Sequence, residues 1–205
     1  MVADAKFIVK LPDSMEFKVA APLMCAGISI YAGIQRAGIP KGGSIGIGYN
    51  VAAIDVKQRA LDAVASYEYS PDALILATDP VEESLVKIDK IKSSSYRGLD
   101  ATVLATDHSS AFDLAATLTR KHGTMVLLGQ PEKGITMSYH TIIYKDIKLV
   151  GSLVADTTAA QELVSLFSQN NLHVEVKEWK MEDAENMRQS YLSGMGMGKN
   201  VIVIS

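Results

Sequence analysis

GGSIGIGYNVAAID, residues 42–55, carries two short apolar runs, Ser44–Ile47 and Val51–Asp55, separated only by Gly48, Tyr49 and Asn50. Each run has the length and composition of a strand. Joining two parallel strands takes a crossover of about a dozen residues, usually a helix. Three residues cannot supply one. If both runs are strands, they must be antiparallel. If 51–55 keeps a place in a parallel sheet, 44–47 becomes loop. We take the second arrangement, with 51–55 free to move into a vacant central position.

Outward from this point, short apolar runs alternate with longer amphipathic ones. Lys6–Lys10 reads as a strand and Glu16–Ala37 as a helix broken near Pro22, which lacks an amide donor. Strand 51–55 leads to helix Gln58–Tyr67. Strand Ala73–Ala77 leads to helix Pro80–Ile91, and strand Ala101–Ala105 to helix Ser110–Lys121. Strand Thr124–Leu128 is followed by an irregular segment and then by Lys148–Gly151. Helix Thr157–Asn170, capped by Asp156 or Thr157, precedes strand Val174–Glu178, helix Glu182–Leu192 and strand Val201–Ile204. This order predicts an α/β fold: a Rossmann-like, mostly parallel sheet with helices on both faces and the first crossover helix deleted. One domain, 1–205, is expected, with opening strand and helices over 1–43 and the sheet with its covering helices over 44–205.

The chain has 205 residues, 48% hydrophobic and 21% charged, with net charge −3. That balance argues against nucleic acid as a partner. Runs such as 149–155 and 201–205 are too short to span a bilayer, so no membrane partner is expected. MVADAKFIVK at the amino terminus lacks the pattern of a signal peptide. A single cysteine forms no internal disulfide, which fits a cytoplasmic location.

The stretches AAPLMCAGISIYAGIQRAGIPKGGSIGI (20–47), VAAID (51–55), GTMVLLGQP (123–131), LVGSLVADTTAAQELV (149–164) and GKNVIVIS (198–205) carry a resemblance. In this order they are similar to the nucleotide domain of zinc-type alcohol dehydrogenases of the medium-chain family. The resemblance implies a Rossmann-like sheet with a dinucleotide crevice, and the chain departs from it in three places. First, the glycine turn and helix that cradle a pyrophosphate are missing. Gly46 and Gly48 form a G-x-G, but no helix follows. Asp55 stands where the family's ribose-binding acid would lie and would favour NAD over NADP; it is also a common type of helix cap. Gly129 would be a second contact if NAD binds. Second, of the zinc ligands the resemblance implies, only Cys25 is present, because the chain is expected to lack the catalytic domain that supplies the others. His108, His122, His140 and His173 show no metal-binding spacing. No metal is expected, and Cys25 reads as a buried small apolar residue. Third, Thr157 and Asn200 stand where many relatives carry phosphate-binding arginines, with Lys199 adjacent. No cofactor is therefore expected.

The crevice at the carboxyl ends of the strands is where chemistry would remain. It would gather Thr106, Asp107, His108, Ser109 and Ser110, then Thr78 and Asp79, then Gly129 and Gln130, with Tyr49 and Asn50 near the deletion. The candidate catalytic residues are His108, Asp107, Tyr49 and Thr106. His108 is the one histidine adjacent in sequence to a carboxylate, which can raise its pKa and hold its tautomer. Asp107 is equally suited to capping helix 110–121. Tyr139 and His140 read as packing beside a strand region at 142–150, and the methionines of 194–198 as an apolar lip. The leading reading is a cofactor-independent enzyme acting on a small hydrophobic substrate by isomerisation, cyclisation or elimination. One alternative is an NAD-dependent alcohol dehydrogenase or reductase with residual cofactor binding. Another is a non-catalytic ligand-binding or dimerisation module. A homodimer is expected, through segment 142–154 as a sheet edge and the apolar face of helix 16–37.

Overall fold

The computed structural model describes residues 4–40, 43, 49–92, 94–194, 196 and 198–204. Run 44–47, Gly46, Gly48, Met195 and Met197 lie outside the described residues. The chain is α/β and Rossmann-like, and the strand pairs among the described residues are parallel. It forms two compact units, Gly33–Leu153 and a second made of Met1–Ala32 with Val154–Ser205. The division drawn from the sequence at 43/44 falls inside the first of these.

Gly33–Leu153 holds two parallel ladders. Strand β1 (Ala52–Asp55) pairs with β2 (Ala73–Leu76), and β3 (Leu99–Leu104), β4 (Thr119–Leu127) and β5 (Lys148–Gly151) pair in that order. Among the described residues no ladder joins β1 to β3. Strand β1 is paired with β2, in register from Ala52 with Ala73 to Asp55 with Leu76. No helix is described between Arg36 and Ala52, as the short 48–50 link requires. Side chains bridge the two ladders instead. Ile75, Ile88, Leu99 and Leu118 form one buried cluster, with Ala52 and Ile54 packed on it.

The covering helices follow from local chemistry. α3 (Gln58–Ala65) buries Leu61. α4 (Val81–Asp89) starts after Pro80 with Glu82 and Glu83 in its first turn, where negative charge meets the positive end of the helix dipole. α5 (Ser110–Leu118) buries Phe112, Ala115, Ala116 and Leu118. It stops three residues earlier than the sequence suggested, because β4 begins at Thr119 and turns through His122, at φ +58°. The buried Thr119 hydroxyl donates to Ala115 O at 2.7 Å, so the Thr102 hydroxyl, 2.9 Å away, donates to Thr119.

The segment after β4 is not wholly irregular. Ser138 caps α6 (Tyr139–Lys145), accepting from Thr141 N. Residues 142–145 are therefore helix, and the sheet edge expected over 142–154 narrows to β5. The Lys145 ammonium reaches back to the carbonyls of Thr117 and Thr119 at 2.5 and 2.9 Å, where the negative end of α5 favours it.

In the other unit, Lys6–Lys10 is not a strand. The Asp4 side chain accepts from Lys6 N, and the chain turns as a 3₁₀ helix over Ala5–Phe7. Helix α1 (Phe17–Pro22) is not broken at Pro22. The missing amide is absorbed by a π-helical turn, Leu23–Gly27, that runs on into α2 (Ile28–Arg36). By length and composition alone, the run Phe17–Arg36 is long and apolar enough to cross a membrane. Here its buried Leu23 and Ile28 pack against Ala160 and Leu163 of α7 (Thr157–Gln169). Asp156 caps α7 through Ala159 N at 2.9 Å. β6 (Val176–Trp179) and β7 (Lys199–Ile202) form a separate parallel pair, with α8 (Ala184–Leu192) between them in sequence.

Candidate functional site

The carboxyl ends of β3 and β4 bring together two of the loops named from the sequence. Asp107 Oδ1 accepts from Gln130 N at 2.7 Å, and Gly129 N donates to Leu104 O at 3.0 Å. A Cβ on Gly129 would stand 1.9 Å from Thr106 O. Glycine is required there by backbone meeting backbone. Asp107 thus holds the neighbouring loop and does not cap α5, which corrects its reading as a cap; among the described residues no hydrogen bond or ion pair joins it to His108. His108 is exposed and its Nδ1 lies 2.8 Å from Ser110 Oγ, while its amide donates to Thr106 Oγ1 at 3.3 Å.

Tyr49 does not join this group. Its hydroxyl donates to Ile39 O at 3.1 Å, and among the described residues no hydrogen bond or ring contact connects it to Thr106, Asp107 or His108. An open cleft of about 670 Å³ lies elsewhere, between segment 5–9 and α7, lined by Ile8, Val9, Tyr31, Thr157, Glu162 and Leu166 among others.

At the ends of β1 and β2, Asp55 closes β1 and its Oδ1 accepts from Lys57 N at 2.8 Å. Among the described residues its Oδ2 takes no hydrogen bond. Asp79 follows β2, and Lys87 Nζ approaches it to 2.8 Å; that hydrogen bond holds the Asp79 carboxyl below its usual range.

Other candidates have structural employment. Asn200 Oδ1 accepts from Trp179 Nε1 at 2.8 Å. Tyr139, His140 and Tyr144 stack along α6, with successive ring centroids 4.0 and 5.6 Å apart. Cys25 is exposed on the π-helical turn, which corrects its reading as a buried residue. A His–carboxylate pair missed in the sequence is His122 with Asp146, Nδ1 to Oδ2 3.0 Å. Their separation in the chain hides it, and only the fold brings them together.

Residues 44–169 match the family model described as zinc-binding dehydrogenase. This chain belongs to that family. Among curated relatives, an alcohol dehydrogenase of Geobacillus stearothermophilus is 25% identical over 98% of the chain. Cinnamyl alcohol dehydrogenase 8 of Arabidopsis thaliana is 26% identical over 86% of it. The chain spans 63% and 52% of their respective lengths. The fold is shared with the alcohol dehydrogenase of Aeropyrum pernix, at TM-score 0.80 and 21% identity over 96% of this chain and 61% of that one. It is shared too with acetophenone reductase from Geotrichum candidum, solved in complex with NAD, at TM-score 0.77 and 17% identity over 96% and 58%.

The family implies zinc and a dinucleotide. Among the described residues no group of three or more His, Cys, Asp or Glu could hold a metal ion, so zinc does not fit these residues alone. For a dinucleotide the fit is confined to one end. Asp55 offers the carboxylate that a ribose diol needs. The pyrophosphate end is different, because Gly43 O accepts from Asn50 N at 3.0 Å. Six residues between bonded ends are about half of what a crossover with a helix takes. The described residues supply no phosphate cradle.

Proposed function

We propose that this chain serves an oxidoreductase of the alcohol-dehydrogenase type and prefers NAD to NADP. The observation that carries the preference is Asp55 at the carboxyl end of β1, with one oxygen holding Lys57 N and the other open. An acid there receives the ribose hydroxyls of NAD and repels the extra phosphate of NADP. Family membership supports the reaction class. NAD supplies hydride acceptance when bound; the residues described here orient only its adenosine end.

Calorimetric titration with NADH and NADPH tests this, together with an assay of NAD reduction across a panel of primary alcohols. The expected result is weak NADH binding, still weaker NADPH binding and alcohol-dependent NAD reduction. NADPH binding as tight as NADH, or no reduction of NAD with any alcohol, would remove the reading.

The bond between Gly43 and Asn50 favours a second reading, a cofactor-independent conversion of a small hydrophobic molecule. In it His108, with Ser110 Oγ 2.8 Å from Nδ1, transfers a proton. His108→Ala then slows turnover by roughly a hundredfold with the fold intact. Turnover that always requires NAD excludes it.

A further inference from the structure

Segment 8–11 has the makings of one strand of a pair. The 3₁₀ turn ends at Phe7, and Ile8 after it is extended, at φ −110° and ψ 150°. Pro12 disfavours helix at Leu11. Val9 packs against the buried cluster of Leu23, Ile28, Ala160 and Leu163, which fixes the segment in place. Among the described residues no hydrogen bond reaches the main chain of Ile8, Val9, Lys10 or Leu11. A row of unpaired N–H and C=O groups is what an edge strand presents.

The open cleft of about 670 Å³ borders that row, and both its walls belong to one compact unit. Successive side chains of an extended chain point to opposite faces, yet Ile8 and Val9 both line the cleft. The cleft therefore follows the edge of the segment, where its main-chain groups lie. On the facing wall α7 presents Gln161 and Gln169, both exposed. They stand about 12 Å apart at the helical rise. No hydrogen bond engages either carboxamide among the described residues. Four residues of an extended chain cover about 13 Å, so the two carboxamides match peptide groups at i and i+4, on one edge of a strand. Leu166 lies between them in sequence and adds apolar contact. The Tyr31 hydroxyl donates to Glu162 at 3.1 Å and steadies a carboxylate in this wall, while Lys6 lines the other.

We propose that the cleft binds an extended peptide segment of a partner protein, added as a strand to 8–11. Its apolar residues alternate and rest on Val9 and Leu166. Its polar residues include a base for Glu162 and an acid for Lys6. One edge of its main chain pairs with 8–11, and the other meets Gln161 and Gln169.

Titrating the full chain with acetyl-Glu-Val-Thr-Val-Lys-amide, followed by amide NMR, tests this. Two N-methylated forms, one methylated at the valines and one at the residues between and beside them, block opposite edges of the peptide. The parent peptide should slow hydrogen exchange at alternate amides of 8–11. One methylated form should bind roughly tenfold more weakly, the worth of two main-chain hydrogen bonds. Gln161→Ala with Gln169→Ala should weaken the parent by roughly threefold or more. Ser165→Trp, which fills the cleft, should abolish binding with an unchanged circular dichroism spectrum. Equal binding of both methylated forms and the parent overturns the strand pairing. No shift at 8–11 or 161–169 with millimolar peptide overturns the proposal. So does protection of the 8–11 amides in the free chain that fades on dilution, which gives the edge to a second copy.

Discussion

Asp107 Oδ1 and the amide of Gln130 meet at 2.7 Å, tying the loop after β3 to the loop after β4. The tie sits where Gly129 passes against Thr106. Asp107→Ala should lower the unfolding free energy by about 1–2 kcal/mol, the worth of a hydrogen bond to a charged acceptor. Asp107→Asn keeps an acceptor and should recover most of the loss. Gly129→Ala should be worse than either, because two backbones would have to separate. Urea titration of the three variants checks this ordering, and an unchanged midpoint for Asp107→Ala would show that the tie contributes nothing.

The Asp79–Lys87 pair predicts a pH dependence. The lysine's hydrogen bond depresses the Asp79 pKa in the folded chain below the ordinary 3.8. The folded state therefore binds fewer protons than the unfolded one in that window. The stabilisation is fully present above 3.8 and lost as pH falls through the folded value. Lys87→Met should lower the urea midpoint near neutral pH and leave it unchanged in strong acid. A loss that persists equally in acid would assign the effect to packing.

We expect the chain to form a homodimer. Among the described residues β5 is paired on one side only, and Leu149 on it is 43% exposed, with Ile143 and Tyr144 of α6 exposed at 66% and 73%. Light scattering should return about twice the chain mass of 22.1 kDa. Leu149→Lys, which blunts an edge with charge, should return the monomer. A monomer for the unaltered chain at micromolar concentration would contradict the proposal.

Cys25 is the single cysteine, and it is exposed. One thiol per chain should react with an aromatic disulfide reagent in native buffer, as fast as after unfolding. A requirement for denaturant would return Cys25 to the interior.

The strands that could be read from the sequence are those whose apolar runs are buried. Ile75, Leu104, Met125 and Val126 announce β2, β3 and β4 because nothing else can be done with such runs in water. Segment 6–10 alternates equally well, yet Asp4 captures Lys6 N and turns the chain before a ladder can form. α6 was hidden by Ile142 and Ile143, whose branched side chains suit strands, although Ser138 already stood in the capping position. The candidate site was legible in part. The loops after β3 and β4 meet as topology requires. Which atom Asp107 holds depends on a loop amide 23 residues away, which adjacency in the sequence does not show.

The split of the sheet in Gly33–Leu153 bears on how that unit opens. Among the described residues, main-chain bonds couple β3, β4 and β5, and separately β1 and β2, and side chains such as Ile54, Ile75 and Leu99 join the two sets. Cooperative blocks tend to follow contiguous supersecondary motifs. Amide protons of 52–55 and 73–76 should therefore exchange with solvent deuterium as one block, at a lower free energy than the central amides of β4. Cavity-forming changes at Ile75 should release the first block and leave the second protected.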